Sequence, residues 1–301
     1  MPHQELPAYL VRSLLFVPSI VPRFIERAPT SGADIVCLDL EDSVPPAEKP
    51  KARQMAAEAL ASMPRTGYMM FVRVNGLHTG LLEEDLMAVV RPGLEGISLP
   101  KVESAATVQR VDHYLAVLEK ERGMGVGAVK VIPVIETAMA IVNAHEICSA
   151  SPRLIGACLG GEDLAAEMGI QRTKAGKEIE WPRAQVAIVC RAAGILAIDT
   201  AEPDYQDLAQ LEQDSIFARS LGYRGRYCIH PSQVEVVNRI FRPTEDEVSH
   251  ARTLVELFEK EGIEKGLAAI AFQGKMIDWP VYMRAKRVIE WAEASEAKAR
   301  Q

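Results

Sequence analysis

The sequence predicts an α/β fold, a closed (β/α)8 TIM barrel with a C-terminal helical lid extension. Eight short apolar runs of strand length alternate with longer amphipathic stretches, which is typical of parallel α/β architecture. No long linker or low-complexity break interrupts the series, so a closed barrel is favoured over an open doubly wound sheet. The 301 residues fit one barrel with an extension. We predict a catalytic barrel over residues 1–243 and a helical lid over residues 244–301.

Each predicted strand has the length and apolar composition of a strand that is buried on both faces. In chain order the runs are SLLFV (13–17), DIVCLDL (34–40), MFVRV (70–74), GISLP (96–100), VKVIPVI (129–135), LIGACLG (154–160), ILAID (195–199) and RYCIH (226–230). The predicted helices lie at 22–31, 47–62, 80–91, 104–121, 138–150, 183–193, 206–221 and 231–241. Ser232 with Glu235 fits a capping box at the start of the last of these helices.

The pattern changes after residue 243. Thr244 and Glu247 form a second capping box, which opens a helix to about Gly262. The following segment carries glycines, a proline and little periodicity, and a final helix is predicted over 281–297. An apolar, glycine-containing segment outside a completed barrel usually packs against something. We therefore predict a lid over this barrel's mouth or over that of a neighbouring subunit.

Composition and charge exclude several classes of protein. With 48% hydrophobic and 25% charged residues, the chain has the composition of a folded globular protein. A net charge of -7 without a basic block argues against nucleic-acid binding. No apolar run reaches a membrane span, and the N-terminal segment lacks a signal-peptide pattern, so we expect a cytoplasmic protein without a membrane role. The five scattered cysteines are expected to be small buried apolar residues.

Acidic residues gather at the ends of several predicted strands. Functional groups of such barrels project from the carboxyl ends of strands, where like carboxylates would repel one another unless a cation joins them. Glu136 and Asp163, at adjacent strand ends, are the best candidates for ligands. An oxygen-only ligand set without paired histidines or thiolates indicates Mg²⁺, with Mn²⁺ as an alternative. The sequence thus predicts a divalent metal site.

Further polar residues surround these two. Arg73, at the end of the third strand, could clamp a substrate carboxylate or form a salt bridge at the barrel rim. Gly160 and Gly161 could let a ligand approach the backbone. Position alone leaves Asp39, Glu41 and Asp42 open between metal ligands, groups that hold the ligands in place, and bases. Lys101 is a further candidate for a group that holds the ligands in place.

Taken together, the strand-end motifs resemble the citrate lyase β-subunit-like family of CoA-ester lyases, which are relatives of malyl-CoA lyase within the Mg²⁺-dependent aldolase group. The resemblance covers nearly the whole chain in collinear order. The motifs that carry it are RSLLFVPS, LDLEDSV, FVRVNG, LPKVES, IPVIETAMA, LGGEDLAAEMG, AIDT, YCIHPSQV and FQGKMIDWP. One departure is VPS at Pro18 and Ser19, where many members of the family have a glycine; the Ser19 side chain narrows the space near the CoA phosphates.

The resemblance implies roles for individual residues. Glu136 and Asp163 would hold Mg²⁺, Arg73 would bind the α-keto acid carboxylate, and Asp278 would be the catalytic acid or base, delivered by the lid. The GGED backbone, with Gly161 and Glu162, would hold the substrate from the other side. Coenzyme A, as part of the substrate, would contact five further residues. These residues are Phe16, Arg23, Arg27, Ile229 and His230.

The expected reaction is cleavage or formation of a 3-hydroxyacyl-CoA ester, such as malyl-CoA or citramalyl-CoA, from an acyl-CoA and an α-keto acid. The keto acid would be glyoxylate, pyruvate or oxaloacetate. The alternatives are a CoA-independent pyruvate-type aldolase, a hydroxyacyl-CoA thioesterase and a subunit of a citrate lyase complex. A lid that carries Asp278 favours a homo-oligomer, a trimer or hexamer, with shared active sites.

Overall fold

Eight parallel strands close into a barrel, which confirms the predicted fold class. The computed structural model describes residues 9–299; residues 1–8 and 300–301, at the ends of the two predicted domains, lie outside them. The strands pair in chain order, and the first strand also pairs with the eighth, which closes the barrel. The strands are β1 Ser13–Pro18, β2 Ile35–Asp39, β3 Met69–Arg73, β4 Gly96–Leu99, β5 Lys130–Ile135, β6 Gly156–Leu159, β7 Leu196–Asp199 and β8 Gly225–Cys228.

Helices follow the strands and cover the outside of the barrel. Along each strand, alternate side chains point into the barrel and out towards the helices; Leu14 lies in the interior cluster, whereas Leu15 and Val17 pack in the outer one. The helices are α1 Pro22–Arg27, α2 Lys49–Ser62, α3 Leu82–Val89, α4 Ala105–Glu121, α5 Ala138–Val142, α6 Ala144–Cys148, α7 Gly161–Met168, α8 Glu180–Ala193, α9 Leu208–Leu221 and α10 Pro231–Ile240.

The helices of the structure differ from the prediction in two places. The single helix expected over 138–150 is interrupted at Asn143, whose side-chain amide donates to the carbonyl of Glu103. Helix α7 was not predicted; it follows β6 without a linker, and the fold places both α7 and α8 between β6 and β7.

The predicted cap of the eighth barrel helix was wrong. Ser232 lies inside α10, and His230 is the N-cap: its Nδ1 accepts from the Ser232 N–H at 3.2 Å, while Gln233 Oε1 accepts from the His230 N–H at 3.3 Å. The physical reason is Pro231, which lacks an N–H and favours the first helical position, so that the preceding residue becomes the cap.

Residues through Phe241 and residues from Arg242 form two compact units. The C-terminal unit contains α11 Glu245–Leu257, a π-helical turn Phe258–Ile263, an antiparallel hairpin of β9 Ala269–Phe272 and β10 Lys275–Asp278, and α12 Trp279–Ala299. The Thr244 and Glu247 capping box is confirmed. The hairpin was not predicted, because two four-residue strands give too short a pattern. Phe258, Ile277 and Tyr282 form the core of this unit.

All five cysteines are buried and free, as predicted. In the described part of the chain, no helix combines the length and the apolar character that a membrane span requires.

A buried ionic network ties the end of β7 to β8, α8 and α9. Arg183 donates to Asp199 at 2.6 Å and to Asp214 at 2.8 Å, and Arg226 pairs with the same two carboxylates. Arg226 also donates to the Thr200 carbonyl at 2.7 Å. Both guanidinium groups are almost fully buried. Asp199, one of the polar strand-end residues, is therefore committed to holding the barrel together.

This network predicts an acid-sensitive contribution to stability. Burial alone would raise the pKa of Asp214, but Arg226 and Arg183 lower it to about 2. Since the folded-state pKa lies below the unfolded value, the stabilisation is present above about pH 4 and is lost as the pH falls towards 2. We expect it to be about 2 kcal/mol. Denaturant unfolding of Asp214→Asn should show a correspondingly weaker pH dependence in this window. The control Glu256→Gln, an exposed residue of α11, should keep the wild-type profile; an unchanged profile in Asp214→Asn would contradict the assignment.

Candidate functional site

The carboxyl ends of the strands carry two separate clusters of charge. One is centred on Arg73 at the end of β3, and the other on Lys101, which follows β4. Each positive side chain has carboxylate partners from the ends of neighbouring strands. The barrel thus brings together the acidic and basic residues that the sequence placed at strand ends.

Arg73 is held rigidly. Its Nε and Nη2 donate to the two oxygens of Asp39 at 2.7 and 2.6 Å, a bidentate pair. Its Nη1 lies 3.1 Å from Glu41 Oε2 and 3.7 Å from Asp42 Oδ2. Although burial alone would raise the pKa of Asp39, Arg73 holds it below its usual value. The Nε and Nη2 edge of the guanidinium is therefore saturated by Asp39, whereas Nη1 faces Glu41 and Asp42.

Aromatic stacking fixes the same guanidinium from another direction. The Phe16 ring stacks on Tyr227 at a centroid distance of 4.3 Å, and the Arg73 guanidinium carbon lies 4.2 Å from the Phe16 centroid. Phe16 therefore packs between Tyr227 and Arg73. In the structure its faces support Arg73, a role that the sequence did not indicate.

Two further residues support the loop after β2. Lys49 is buried and donates to the carbonyls of Leu40 and Glu41 at 2.7 and 2.8 Å. The Asn75 side-chain amide also donates to Leu40, at 3.1 Å. Lys49 could not have been found from strand-end position, because it comes from the start of α2. These bonds fix the backbone that carries Glu41.

The second cluster contains both predicted metal ligands. The Lys101 N–H donates to Glu136 Oε1 at 2.7 Å, and its Nζ lies 3.7 Å from the same oxygen. The Nζ also forms a short ion pair with Asp163. Glu136 is buried, whereas Asp163, in the first turn of α7, is partly exposed. The structure thus brings Glu136 and Asp163 together at the Lys101 ammonium.

Gly160 makes room for Glu136. A Cβ at Gly160 would lie 2.4 Å from the Cβ of Glu136 and 2.5 Å from its Oε2. Any side chain there would displace the carboxylate. The Gly160 and Gly161 pair was predicted to let a ligand approach the backbone. In the structure, the missing side chain of Gly160 makes room for the Glu136 carboxylate.

The N–H groups of these two glycines are already engaged. Gly160 donates to the Ile135 carbonyl, and Gly161 donates to Thr200 Oγ1, both at 3.0 Å. The donors that helix geometry leaves open at the start of α7 are the next amides, those of Glu162 and Asp163. The Glu162 side chain itself pairs with Arg172 at 3.0 Å.

Two carboxylates at this end of the barrel have raised pKa values. Burial raises the pKa of Glu136 to about 7, and Asp163 adds to the increase while Lys101 opposes it. Burial likewise raises the pKa of Glu41 to about 8; Arg73 opposes this, and Asp42 and Glu136 increase it. Glu41 Oε2 is buried and accepts no well-directed hydrogen bond. A divalent cation bound to Glu136 would favour the charged form of that carboxylate.

The residues present fit a magnesium ion. Carboxylate oxygens are its preferred protein ligands, and it usually keeps several waters. Within residues 9–299 no three acidic, histidine or cysteine side chains form a ready-made cage, so Glu136 and Asp163 would supply two ligands, and water and substrate the rest. The space that Gly160 leaves beside Glu136 is consistent with this arrangement.

The residues predicted to contact CoA lie around β1 and β8. Arg23 and Arg27 are exposed on α1. Ile229 and His230 are exposed after β8, and the His230 ring stacks on Tyr205 at a centroid distance of 4.7 Å. Ser19 is fully buried, and its hydroxyl has no hydrogen-bond partner among the described residues.

Asp278 belongs to the C-terminal unit. It ends β10, and its Oδ1 accepts from the Val281 N–H at 3.2 Å in the first turn of α12. Asp278 therefore caps a helix, which is a structural role that any catalytic test must separate from proton transfer.

Comparisons with known proteins agree with this geometry. The sequence profile of the family described as HpcH/HpaI aldolase/citrate lyase matches residues 12–231. The citrate lyase subunit beta of Leuconostoc mesenteroides subsp. cremoris is 37% identical over 286 residues, which cover 95% of this chain and 94% of that protein. The L-malyl-CoA/beta-methylmalyl-CoA lyase of Rhodobacter capsulatus is 34% identical over 310 residues, covering 96% and 97%.

Solved structures show the same similarity. CitE from Mycobacterium tuberculosis, in complex with magnesium, acetoacetate and coenzyme A, superposes with a TM-score of 0.75 at 30% identity. The match covers 95% of this chain and 100% of that one. The similarity therefore extends over the barrel and into the C-terminal unit.

Proposed function

The chain belongs to the HpcH/HpaI aldolase/citrate lyase family, and we propose that it is a Mg²⁺-dependent carbon–carbon lyase of CoA esters. It would cleave or form a 3-hydroxyacyl-CoA ester, with an acyl-CoA and an α-keto acid as the other partners. The observation that carries this proposal is that Glu136 and Asp163 both pair with the Lys101 ammonium. The rigidly held Arg73 lies at the same end of the barrel. A CoA-ester lyase and a magnesium- and CoA-bound structure among its relatives support it.

Glu136 and Asp163 are proposed to hold Mg²⁺. When bound, the ion supplies Lewis acidity towards the oxygen of the α-keto or hydroxy acid. The main-chain amides of Glu162 and Asp163 at the start of α7 would bind the substrate from the side of β6. The sequence assigned this role to Gly161 as well, but the Gly161 N–H already donates to Thr200. The absence of a side chain at Gly160 leaves the space that the Glu136 carboxylate occupies.

Arg73 is proposed to bind the carboxylate of the keto acid. Asp39 already occupies Nε and Nη2, so the substrate would approach the Nη1 edge, where Glu41 and Asp42 now lie. Stacking on Phe16 prevents the guanidinium from swinging away. The rigid guanidinium would then hold the keto acid in one orientation for reaction.

The proton transfers balance as follows. In the cleavage direction the substrate hydroxyl loses its proton, the C–C bond breaks, and the electron pair passes to the acyl-CoA enolate, which takes a proton at carbon. Asp278 is proposed to carry that proton as the acid or base. In this proposal the C-terminal unit acts as a lid that excludes water.

Coenzyme A is proposed to lie against the residues around β1 and β8. Arg23 and Arg27 offer charge for its phosphates, and Ile229 and His230 offer exposed surface next to Tyr205. Phe16, which the resemblance also assigns to this site, would act mainly through Arg73. Ser19 leaves less space there than a glycine would.

The proposed working form is a homo-oligomer, a trimer or hexamer, in which Asp278 of one subunit serves a neighbouring barrel. Residues 1–243 would form the catalytic domain and residues 244–301 the lid. The cytoplasmic location inferred from the sequence stays a prediction.

The substrate is tested with a panel of esters. Malyl-CoA, citramalyl-CoA and methylmalyl-CoA are incubated with the protein, with Mg²⁺ or with EDTA, and release of α-keto acid is followed. We expect Mg²⁺-dependent release from at least one ester. Cleavage of free hydroxy acids without CoA would support the aldolase alternative, release of free CoA thiol would support the thioesterase, and co-purifying partner proteins would support a subunit of a citrate lyase complex.

Gly160→Ala tests whether the position of Glu136 matters for Mg²⁺ binding. The added Cβ would push Glu136 away from its position, so we expect Mg²⁺ affinity to fall by about 10-fold to 100-fold. Calorimetric titration with Mg²⁺ measures this. Gly125→Ala is the matched control, because a Cβ there meets nothing within 4 Å. Equal affinities in the two variants would remove Glu136 from the proposed ligand set.

A further inference from the structure

Lys101 has an unusual combination of contacts at the proposed metal site. Its main-chain N–H and its ammonium both point at Glu136 Oε1, and the ammonium also pairs with Asp163. The two predicted ligands thus share a positive charge that belongs to the protein.

The backbone at Lys101 is strained in a way that serves these contacts. Its φ is 53°, in the left-handed region, and Gln273 is the other non-glycine residue within 9–299 with a positive φ. Gln273 lies in the β9–β10 turn, where such angles are usual. Lys101 has no hairpin turn to explain its conformation. A side chain kept at a position that favours glycine indicates a function for that side chain.

We propose that Lys101 is the built-in counter-ion of the metal site, which holds Glu136 and Asp163 together without metal and is displaced when Mg²⁺ binds. This inference rests on the proposed function, because it takes Glu136 and Asp163 as the ligands. It adds that the ammonium and the metal ion compete for the same oxygens.

The competition follows from charge and geometry. Two carboxylates at adjacent strand ends repel each other, and Glu136 is buried, so the pair needs a cation nearby. An ammonium satisfies this need with one charge, and Mg²⁺ with two. When the ion binds, the ammonium must leave both carboxylates, and it would then be repelled by the metal. Both effects reduce Mg²⁺ affinity.

Arg73 does not share this role. Its guanidinium is anchored to Asp39 by two hydrogen bonds and to Phe16 by stacking, and these bonds do not depend on Glu136 or Asp163. The Lys101 side chain is 25% exposed, and within residues 9–299 its ion-pair partners are Glu136 and Asp163 alone. Its ammonium can therefore leave the two carboxylates without breaking another ion pair.

The test compares Mg²⁺ binding by calorimetry with thermal unfolding in EDTA. For Lys101→Met we expect Mg²⁺ to bind about tenfold more tightly, as for two ligands with moderate negative coupling. The same variant should unfold at a lower temperature than the wild type in EDTA, and Mg²⁺ should raise its unfolding temperature more. Lys101→Arg should retain wild-type behaviour in both measurements.

Two further variants keep the result interpretable. Lys130→Met removes an ammonium at the opposite end of the barrel, where Lys130 donates to the Gly127 carbonyl, and should not change Mg²⁺ affinity. Lys101→Gly removes the charge and the backbone strain together, and should still bind Mg²⁺ more tightly if Lys101→Met does not fold. Unchanged or weaker binding in folded Lys101 variants would overturn the inference while leaving the metal site intact. No Mg²⁺ binding by the wild type would overturn both.

Discussion

Replacing Glu136 with glutamine is expected to abolish Mg²⁺-dependent turnover. The amide keeps the shape of the buried side chain and loses the charge that would bind the ion. We expect kcat to fall by about 10³-fold or more, the scale of losing a preorganised electrostatic group in an active site. Steady-state kinetics and calorimetric Mg²⁺ titration measure the two effects.

Glu103→Gln is the control for this variant. Glu103 is exposed on the neighbouring strand-end loop. Its backbone carbonyl accepts a hydrogen bond from the Asn143 side chain, and this bond does not involve the Glu103 carboxylate. The change of net charge is the same in both variants. We expect wild-type turnover from Glu103→Gln. Near-normal turnover and Mg²⁺ affinity in Glu136→Gln would show that the metal lies elsewhere or is not needed.

Asp278→Asn is expected to lose turnover while retaining Mg²⁺ binding. Asparagine and aspartate cap helices about equally well, so the bond from the Val281 N–H to the side chain can be kept. Only proton transfer is removed. General acid and base groups typically contribute about 10² to 10⁴-fold to the rate, and we expect a loss of this size in kcat with little change in KM.

A purely structural Asp278 would behave differently. In that case Asp278→Asn would resemble the wild type, and Asp278→Ala, which removes the cap, would lower stability without a specific loss of kcat. Mixing tests the sharing between subunits. If Asp278 serves a neighbouring barrel, Glu136→Gln and Asp278→Asn subunits that are unfolded and refolded together should regain part of the activity that each lacks alone.

The barrel could be predicted because strand burial leaves a repeated signal in the sequence. The predicted run at 34–40 and the observed β2, Ile35–Asp39, agree to within a residue at each end. Strand ends in a barrel meet at one mouth, so Glu136 and Asp163 could be paired as candidates from chain position. Their convergence on Lys101 confirms the proximity, and their role as ligands stays a prediction.

Other features depend on backbone angles and long-range contacts that a sequence pattern does not encode. The φ of Lys101, the support of Arg73 by Phe16, and the Thr200 hydroxyl that accepts from Gly161 each join distant strands. The Arg183 and Arg226 network arises between helices and strands that are separated in the chain. Helical periodicity at Ser232 did not reveal the cap, although Pro231 marks it.

Product analysis in D₂O tests the central claim most directly. The protein is incubated with a hydroxyacyl-CoA ester that it consumes, with Mg²⁺ and with EDTA, and the products are identified by mass. Because C–C cleavage leaves an enolate that is protonated at carbon, we predict an acyl-CoA that carries deuterium, together with an α-keto acid, in the Mg²⁺ sample only. Free CoA with an intact hydroxy acid, or cleavage that persists in EDTA, would contradict the account.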